Sequence, residues 1–338
     1  MNSHKKKVPV WVCFLTTSIC LVVAFVVALI VGRYDISLGD FFKMAFSKGG
    51  YEIERSVVLN LRLPRTIIAA LTGLALSVSG LLYQETFQNK LVSPDLLGVS
   101  SGAGVGAATA IVLGLSSVFV SLFAFLFGVL TVVMTLFVAK SFRNRSSMIL
   151  TLSGIIVGGC MSAILSFVKY LADAETTLAD IAFWLMGSFE QSIMSDVYVL
   201  LPIVVVCSIV VLVMSWRINI VALGREEAQT KGINYRAYRV VIIIVATLLT
   251  ASSVAFAGTI SWIGLVVPHI VRLMVGRDTS KTIPLSMLFG ATFMIVADII
   301  SRVFTAAELP LSAVTGLFGT IIFVGILFAR RNTINEND

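Results

Sequence analysis

Charged residues are scarce in this sequence. Only 13% of the 338 residues are Asp, Glu, Lys or Arg, whereas 58% are hydrophobic, and the mean hydropathy is +0.99. A water-soluble domain covers its apolar core with a surface rich in charged and polar residues. This chain has too few charged residues to form such a surface. The composition therefore excludes a soluble protein and predicts one whose solvent is lipid.

Metal-ligating residues are equally sparse. The chain has two histidines and four cysteines, with no CxxC pair and no histidine cluster. All four cysteines lie inside apolar runs, where they are expected to act as small buried hydrophobic residues. We predict that this chain holds no metal ion.

Catalytic and nucleotide-binding motifs are also absent. The sequence contains no GxxxxGK[ST] loop, no HExxH and no evident Ser–His–Asp or paired-carboxylate arrangement. Asp298 and Arg302 are among the few ionisable residues within apolar stretches, and they lie one helical turn apart, where they can pair. We predict a non-enzymatic chain that binds no cofactor. If such a chain is a transporter, it needs a partner that supplies energy.

What the sequence does contain is ten apolar stretches separated by short polar loops. About 18 apolar residues suffice for a helix to cross a bilayer core of roughly 30 Å. We predict an all-α polytopic membrane protein with about ten transmembrane helices, in which residues 1–338 form a single transmembrane domain. The predicted spans are 8–31, 63–83, 97–114, 118–139, 148–170, 197–216, 238–257, 259–276, 283–304 and 311–329.

Basic residues are concentrated in the loops on one predicted side of the membrane. If the N-terminus is cytoplasmic, most Lys and Arg residues fall in cytoplasmic segments, and most acidic residues fall on the other side. This is the positive-inside pattern, which favours an even number of spans with both termini in the cytoplasm. The net charge of +7 is therefore explained by membrane orientation, and no nucleic-acid partner is predicted.

Three polar segments stand out between the spans. Two are predicted outer loops, at residues 32–62 and 172–196, and the first contains a short amphipathic helix near residues 38–46. The third is a cytoplasmic loop at residues 217–239. Within it, residues 225–231 are mostly good helix formers, and Gly232 can end a helix in a left-handed conformation. This segment is either a solvated loop or a helix that seats in a groove of a cytoplasmic partner.

Five stretches, taken together, resemble the iron-chelate and cobalamin permeases of ATP-binding-cassette (ABC) importers. They read LRLPR, NKLVSPDLLGVSSGA, WLMGS, GTISWIGLVVPHIVR and ELP, at residues 61–65, 89–103, 184–188, 258–272 and 308–310. They occur in the order and at the spacing of that family. The chain departs from the family where Lys90 replaces a proline and Ser312 a glycine, and where Thr320-Ile321 replaces Ala-Pro.

The resemblance implies a type II ABC importer permease architecture with ten helices per subunit. Two such subunits, alike or unlike, pair around a central path. Two ATPase subunits, which bind the ATP, lie beneath, and an extracytoplasmic binding protein docks outside and delivers the cargo. By the same resemblance the ATPase-coupling residues are Leu223, Gly224, Arg225, Glu226, Glu227, Ala228, Lys231 and Gly232.

Three arginines match positions that meet the binding protein in this family. They are Arg62, Arg65 and Arg302. Exposed charge pairs steer docking more than they add affinity. Arg62 and Arg65 could instead anchor their span at the interface, and Arg302 could pair with Asp298.

A cytoplasmic constriction precedes the fifth span in the family, and Ser146 and Ser147 match it. The alternative is a loop that happens to hold two serines.

The family resemblance, the absent nucleotide-binding motif and the polar cytoplasmic helix together predict the function. We predict a permease subunit in the cytoplasmic membrane of a bacterium that imports a ferric siderophore. Haem or cobalamin is the alternative cargo. An ion-coupled secondary carrier is the alternative mechanism, and it would be expected to show more buried carboxylates and inverted repeats.

Overall fold

The computed structural model describes residues 9–46, 50–142, 147–305 and 307–335, and most of these residues are helical. A π-helical turn spans Val57–Arg62, and a 3-10 turn spans Pro94–Leu97. The α-helices of the described residues are α1 Val10–Ile30, α2 Leu38–Phe46, α3 Glu52–Ser56, α4 Leu63–Phe87, α5 Val99–Val112, α6 Ser117–Lys140, α7 Ser147–Leu171, α8 Thr177–Met186, α9 Met194–Val221, α10 Arg225–Thr230, α11 Tyr235–Ala257, α12 Ile263–Val275, α13 Thr279–Val303 and α14 Leu311–Asn335.

Each of the ten predicted spans coincides with one of these helices, so the all-α membrane fold is confirmed. Within the described residues, seven helical segments are long and apolar enough to cross a membrane by themselves. α5 and α12 have only 14 and 13 residues, and 13 residues extend about 20 Å, less than the bilayer core. The count of ten is therefore approximate.

The helix α4 is the central post of the bundle. In the membrane-spanning window of the segment that contains it, 83% of the residues are buried, compared with 22% for α1 and 33% for α7. α4 packs against α13, α11, α12 and α9, whereas α6 and α7 pack chiefly with α5 at the periphery. The peripheral helices keep one face free for lipid or for a partner subunit.

Two glycines let α4 lie backbone to backbone with its neighbours. A Cβ atom on Gly80 would lie 1.8 Å from the carbonyl oxygen of Gly264 in α12, and one on Gly73 would lie 2.2 Å from that of Gly290 in α13. Lipid provides no hydrophobic drive for helices to associate, so helices in membranes gain stability from such close approaches. Any side chain at these positions would push the helices apart.

The two predicted outer loops contain more helix than the sequence indicated. The short helix expected near residues 38–46 is confirmed as α2. However, helix begins already at Glu52 and continues through Arg62 into α4, so the loop at 32–62 ends eleven residues earlier than predicted. The loop at 172–196 contains α8, because Thr177–Met186 is an apolar run that can pack against α5.

We expect Gly80→Ala to destabilise the protein, because the added methyl group must displace the Gly264 backbone. The expected cost is about 1–3 kcal/mol, which thermal unfolding in detergent would register as a lower Tm. Gly159→Ala is the matched control, since a Cβ there meets no atom within 4 Å. An equal loss of Tm in both variants would contradict the close-approach explanation.

Candidate functional site

The bundle has two polar ends, which we name the α10 end and the Arg65 end. At the α10 end, glycines with positive φ angles flank α10: Gly224 has φ +110° and Gly232 has φ +71°. The sequence prediction of a short helix ended by Gly232 is thereby confirmed. Such angles suit glycine, because a Cβ atom would strain the backbone.

One apolar residue anchors α10 to the bundle. Ala228 is fully buried and packs with Ile220 of α9 and with Ile233. The remaining predicted coupling residues lie away from this contact, and all except the half-buried Gly224 are exposed: Leu223, Gly224, Arg225, Glu226, Glu227, Lys231 and Gly232. The structure therefore presents a polar helix surface at one end of the bundle, and its role in coupling stays a prediction.

The C-terminal end of α4 ties this region to the core. Nε2 of Gln88 donates a hydrogen bond to the carbonyl of Ala222, at 3.1 Å, just before α10. One turn earlier, Arg272 of α12 donates to Oε1 of Gln84 at 2.6 Å and to Oε1 of Glu85 at 2.9 Å. Sequence reasoning missed this network because its partners are far apart in the chain.

Of the two predicted gate serines, Ser146 lies outside the described residues. Ser147 is the first residue of α7, is half-buried, and accepts a hydrogen bond from Nη2 of Arg239 at 3.3 Å. Arg239 lies in the second turn of α11, shortly after α10. The structure thus brings the predicted gate and the predicted coupling loop into contact.

At the opposite end, Arg65 is held by two carboxylates. Its Nη1 and Nη2 donate to the two oxygens of Glu308, both at 2.8 Å, and its Nε donates to Oδ1 of Asp298 at 2.8 Å. This arrangement joins α4 to α13 and to the segment before α14. A bidentate arginine–carboxylate pair is among the stronger polar contacts in proteins.

The other two predicted docking arginines are equally occupied. Arg62 donates to the carbonyls of Leu29, Ile30 and Tyr34. Arg302 donates to the carbonyl of Ala28 at 2.9 Å and lies 3.5 Å from Asp298, so the pairing predicted for these two residues is present as a longer contact.

The structure corrects the expected exposure of these arginines. Arg62, Arg65 and Arg302 are 5%, 8% and 5% exposed, because the helix ends α1, α4 and α13 close around them. Their docking role stays a prediction. A cleft of about 690 Å³ opens beside Arg302, and Arg33 lies in its lining.

Glu308 belongs to the ELP stretch, but its partnership with Arg65 was not predicted. Burial alone would raise the pKa of its carboxyl, but the hydrogen bonds from Arg65 and nearby positive charges outweigh burial and lower it. Glu308 therefore stays ionised under ordinary conditions and completes the buried cluster.

One exposed face of α7 carries small residues. Gly159, Ser162 and Ser166 lie along it at helical spacing, among larger apolar side chains that are also exposed. Both serines satisfy their hydroxyls within the helix, donating to the carbonyls of Gly158 and Ser162 at 3.0 Å each. α7 carries no charged side chain before Lys169. This face is therefore uncharged before Lys169, and its satisfied hydroxyls are compatible with a neighbouring helix as well as with water.

Comparison with known proteins identifies the family. The sequence model of the FecCD transport family matches residues 20–329. The chain belongs to the FecCD transport family. Its members are the non-catalytic permease subunits of ABC importers, and ATP hydrolysis resides on a separate chain.

Individual relatives of this FecCD permease carry different cargo names. It is 35% identical to the molybdate import system permease protein MolB of Haemophilus influenzae, over 94% of this chain and 96% of that one. It is 32% identical to the Fe(3+)-citrate import system permease protein YfmD of Bacillus subtilis, over 89% and 90%. Other relatives are named for cobalamin and hemin import.

A solved structure also matches closely. It shows an inward-facing conformation of an ABC transporter assigned to the metal-chelate type, with a TM-score of 0.86 and 32% sequence identity. The match covers 94% of this chain and 99% of the other. Fold and sequence therefore agree on the family.

We expect Glu308→Gln to lower the Tm at neutral pH, since it removes one of the two carboxylates that neutralise Arg65. The expected loss is about 1–3 kcal/mol. Because the pKa of Glu308 is lowered in the folded protein, its contribution is present above the unfolded-state pKa and is lost as the pH falls through the folded-state value. The difference in Tm between wild type and variant should therefore shrink on acidification.

The matched control is Glu190→Gln, which alters an exposed carboxylate after α8. It should leave the Tm unchanged at every pH. A Tm of Glu308→Gln equal to that of wild type at neutral pH would show that the cluster does not stabilise the bundle.

Proposed function

We propose that this permease carries a ferric siderophore across the cytoplasmic membrane of a bacterium, in an importer driven by two ATPase subunits. The observation that carries the proposal is the exposed face of α7, which has no charged side chain before Lys169 and carries the small residues Gly159, Ser162 and Ser166. Small residues on an exposed face of a membrane helix are typical of contacts with another helix, and the two serine hydroxyls also tolerate water, so this face suits the boundary between two permease subunits around a path. α7 therefore lines the path in this proposal.

The absence of charge on that face favours a large chelate. Pores that select anions commonly display Arg or Lys side chains. A small dianion such as molybdate would find no such group on the described face of α7 before Lys169. A bulky chelate, whose metal charge is shielded by its ligands, needs only a wetted surface that does not hold it tightly. The relative named for Fe(3+)-citrate import is consistent with such a cargo.

The two polar ends fit the remaining parts of the importer. In this proposal the α10 end faces the cytoplasm, and the exposed side chains of α10 seat in the ATPase. A binding protein docks at the Arg65 end, where the cleft beside Arg302 and Arg33 can receive an acidic side chain. Within the described spans, the carboxylate of Asp298 is committed to arginines, which does not favour an ion-coupled carrier.

Reconstitution with the ATPase and the binding protein tests the cargo. We expect ATP-dependent uptake of radioiron-loaded ferrichrome, with no competition from an excess of molybdate. Haem and cobalamin are measured in the same vesicles as the alternative cargoes. Uptake of molybdate instead of the iron chelate would overturn the cargo assignment. Uptake driven by an ion gradient without any ATPase would overturn the mechanism.

Charge removal on α10 tests coupling. We expect the double substitution of Glu226→Gln and Glu227→Gln to reduce ATP-dependent uptake about tenfold or more while the permease remains folded, since both carboxylates are exposed on the coupling surface. Arg277→Gln, in the exposed turn between α12 and α13, is the control for losing charge at the same end. Unchanged uptake in the double variant would count against α10 as the ATPase contact.

A further inference from the structure

Arg239 occupies the junction of three helices at the α10 end. Its Nη2 donates to Oγ of Ser147, the first residue of α7, at 3.3 Å. Its guanidinium carbon lies 5.9 Å from the ring centroid of Phe87 at the end of α4, and 5.9 Å from that of Tyr235 at the start of α11. One side chain therefore touches the central post, the segment after α10 and the start of the candidate path helix.

A short packed route connects Arg239 to α10. Ala228 of α10 lies in a buried cluster with Ile220 and Ile233, and Tyr235 packs against this cluster. Tyr235 is also one of the two rings over which Arg239 lies. The intervening turn is fixed, because the side chain of Asn234 accepts a hydrogen bond from the backbone of Ala237 and caps α11. A displacement of α10 therefore reaches Arg239 through side chains that are already packed against one another.

The helices that Arg239 joins differ in their freedom to move. α4 lies in a segment whose spanning window is 83% buried, and Gln88 ties its end to the carbonyl of Ala222. The corresponding window of α7 is only 33% buried. A push at this junction therefore shifts α7 more readily than α4, with Phe87 as the fixed side.

Electrostatics favours a contact that can change. Arg239 places a positive charge beside the N-terminal end of α7, where the helix dipole is also positive, and the first turn of α7 contains no acidic residue. The contact between the guanidinium and the hydroxyl of Ser147 therefore gains little from charge and can change at small cost, as a two-state element requires.

We propose that Arg239 is a positioning residue that transmits movement of α10 to the start of α7 and so to the path. This inference rests on the proposed function, in which α10 meets the ATPase and α7 lines the path. Arg239 contacts neither cargo nor ATP in this role. It determines how much of the ATPase movement reaches the gate.

The test uses the complete importer in vesicles, with uptake and ATP hydrolysis measured in the same sample. We expect Arg239→Gln to lower the uptake per ATP hydrolysed by about threefold to tenfold, while ATP hydrolysis and assembly with the ATPase persist. Arg239→Lys should give an intermediate ratio, because lysine keeps the charge but loses the planar group that lies over the rings. Arg277→Gln should keep the wild-type ratio.

A double-mutant cycle with Ser147→Ala separates transmission from general damage. If Arg239 acts through Ser147, the double variant should lose no more coupling than Arg239→Gln alone. Independent, additive losses would overturn the proposed route. So would a lower Tm in Arg239→Gln with an unchanged ratio of uptake to hydrolysis, because that result describes a structural residue only.

Different results would overturn the proposed function and the role of Arg239. If the wild-type importer shows no ATP-dependent uptake of any tested cargo, the proposed function fails and this inference fails with it. If the wild type transports and Arg239→Gln, Arg239→Lys and Ser147→Ala all keep its ratio of uptake to hydrolysis, only the role of Arg239 is overturned.

Discussion

The backbone-to-backbone packing of α4 against α12 and α13 is the constraint on which the rest of the structure depends. Lipid gives helices no hydrophobic reason to associate, so the bundle must gain its cohesion from close contact. Gly73 and Gly80 allow that contact because neither places a side chain between the helix backbones. Because α4 is held so closely, the polar groups at its two ends acquire fixed positions, and both candidate sites are built on them.

The ends of α4 differ in what they stabilise. At one end Arg65 gathers Asp298 and Glu308 from the last part of the chain, a buried cluster in which removal of one partner leaves an uncompensated charge. At the other end Gln84 and Gln88 use neutral amides to bind backbone carbonyls and Arg272. The charged cluster suits a closed, rigid end. The amide network holds the segment before α10 to the core while leaving the exposed surface of α10 free.

Local features of the fold were predictable and long-range pairings were not. The length of the apolar stretches located all ten predicted spans, and helix propensity together with Gly232 located α10. Each of these signals is contained in one short stretch of sequence. The partnership of Arg65 with Glu308 joins positions 243 residues apart, and that of Gln84 with Arg272 joins positions 188 apart. No periodicity connects such positions. The buried state of the three arginines follows from those pairings, which is why exposure was expected wrongly.

The distribution of polar groups along the bundle also limits the mechanism. Polar networks lie at the two ends, whereas the hydroxyls on the exposed face of α7 are already satisfied within the helix. In the proposed function, a path lined by this face does not retain a ligand strongly, so the direction of transport is imposed from the ends. Work performed at α10 can impose it only if the central post stays still while a peripheral helix moves. The deep burial of α4 and the shallow burial of α7 meet that condition, and Arg239 contacts both α4 and α7 next to α10.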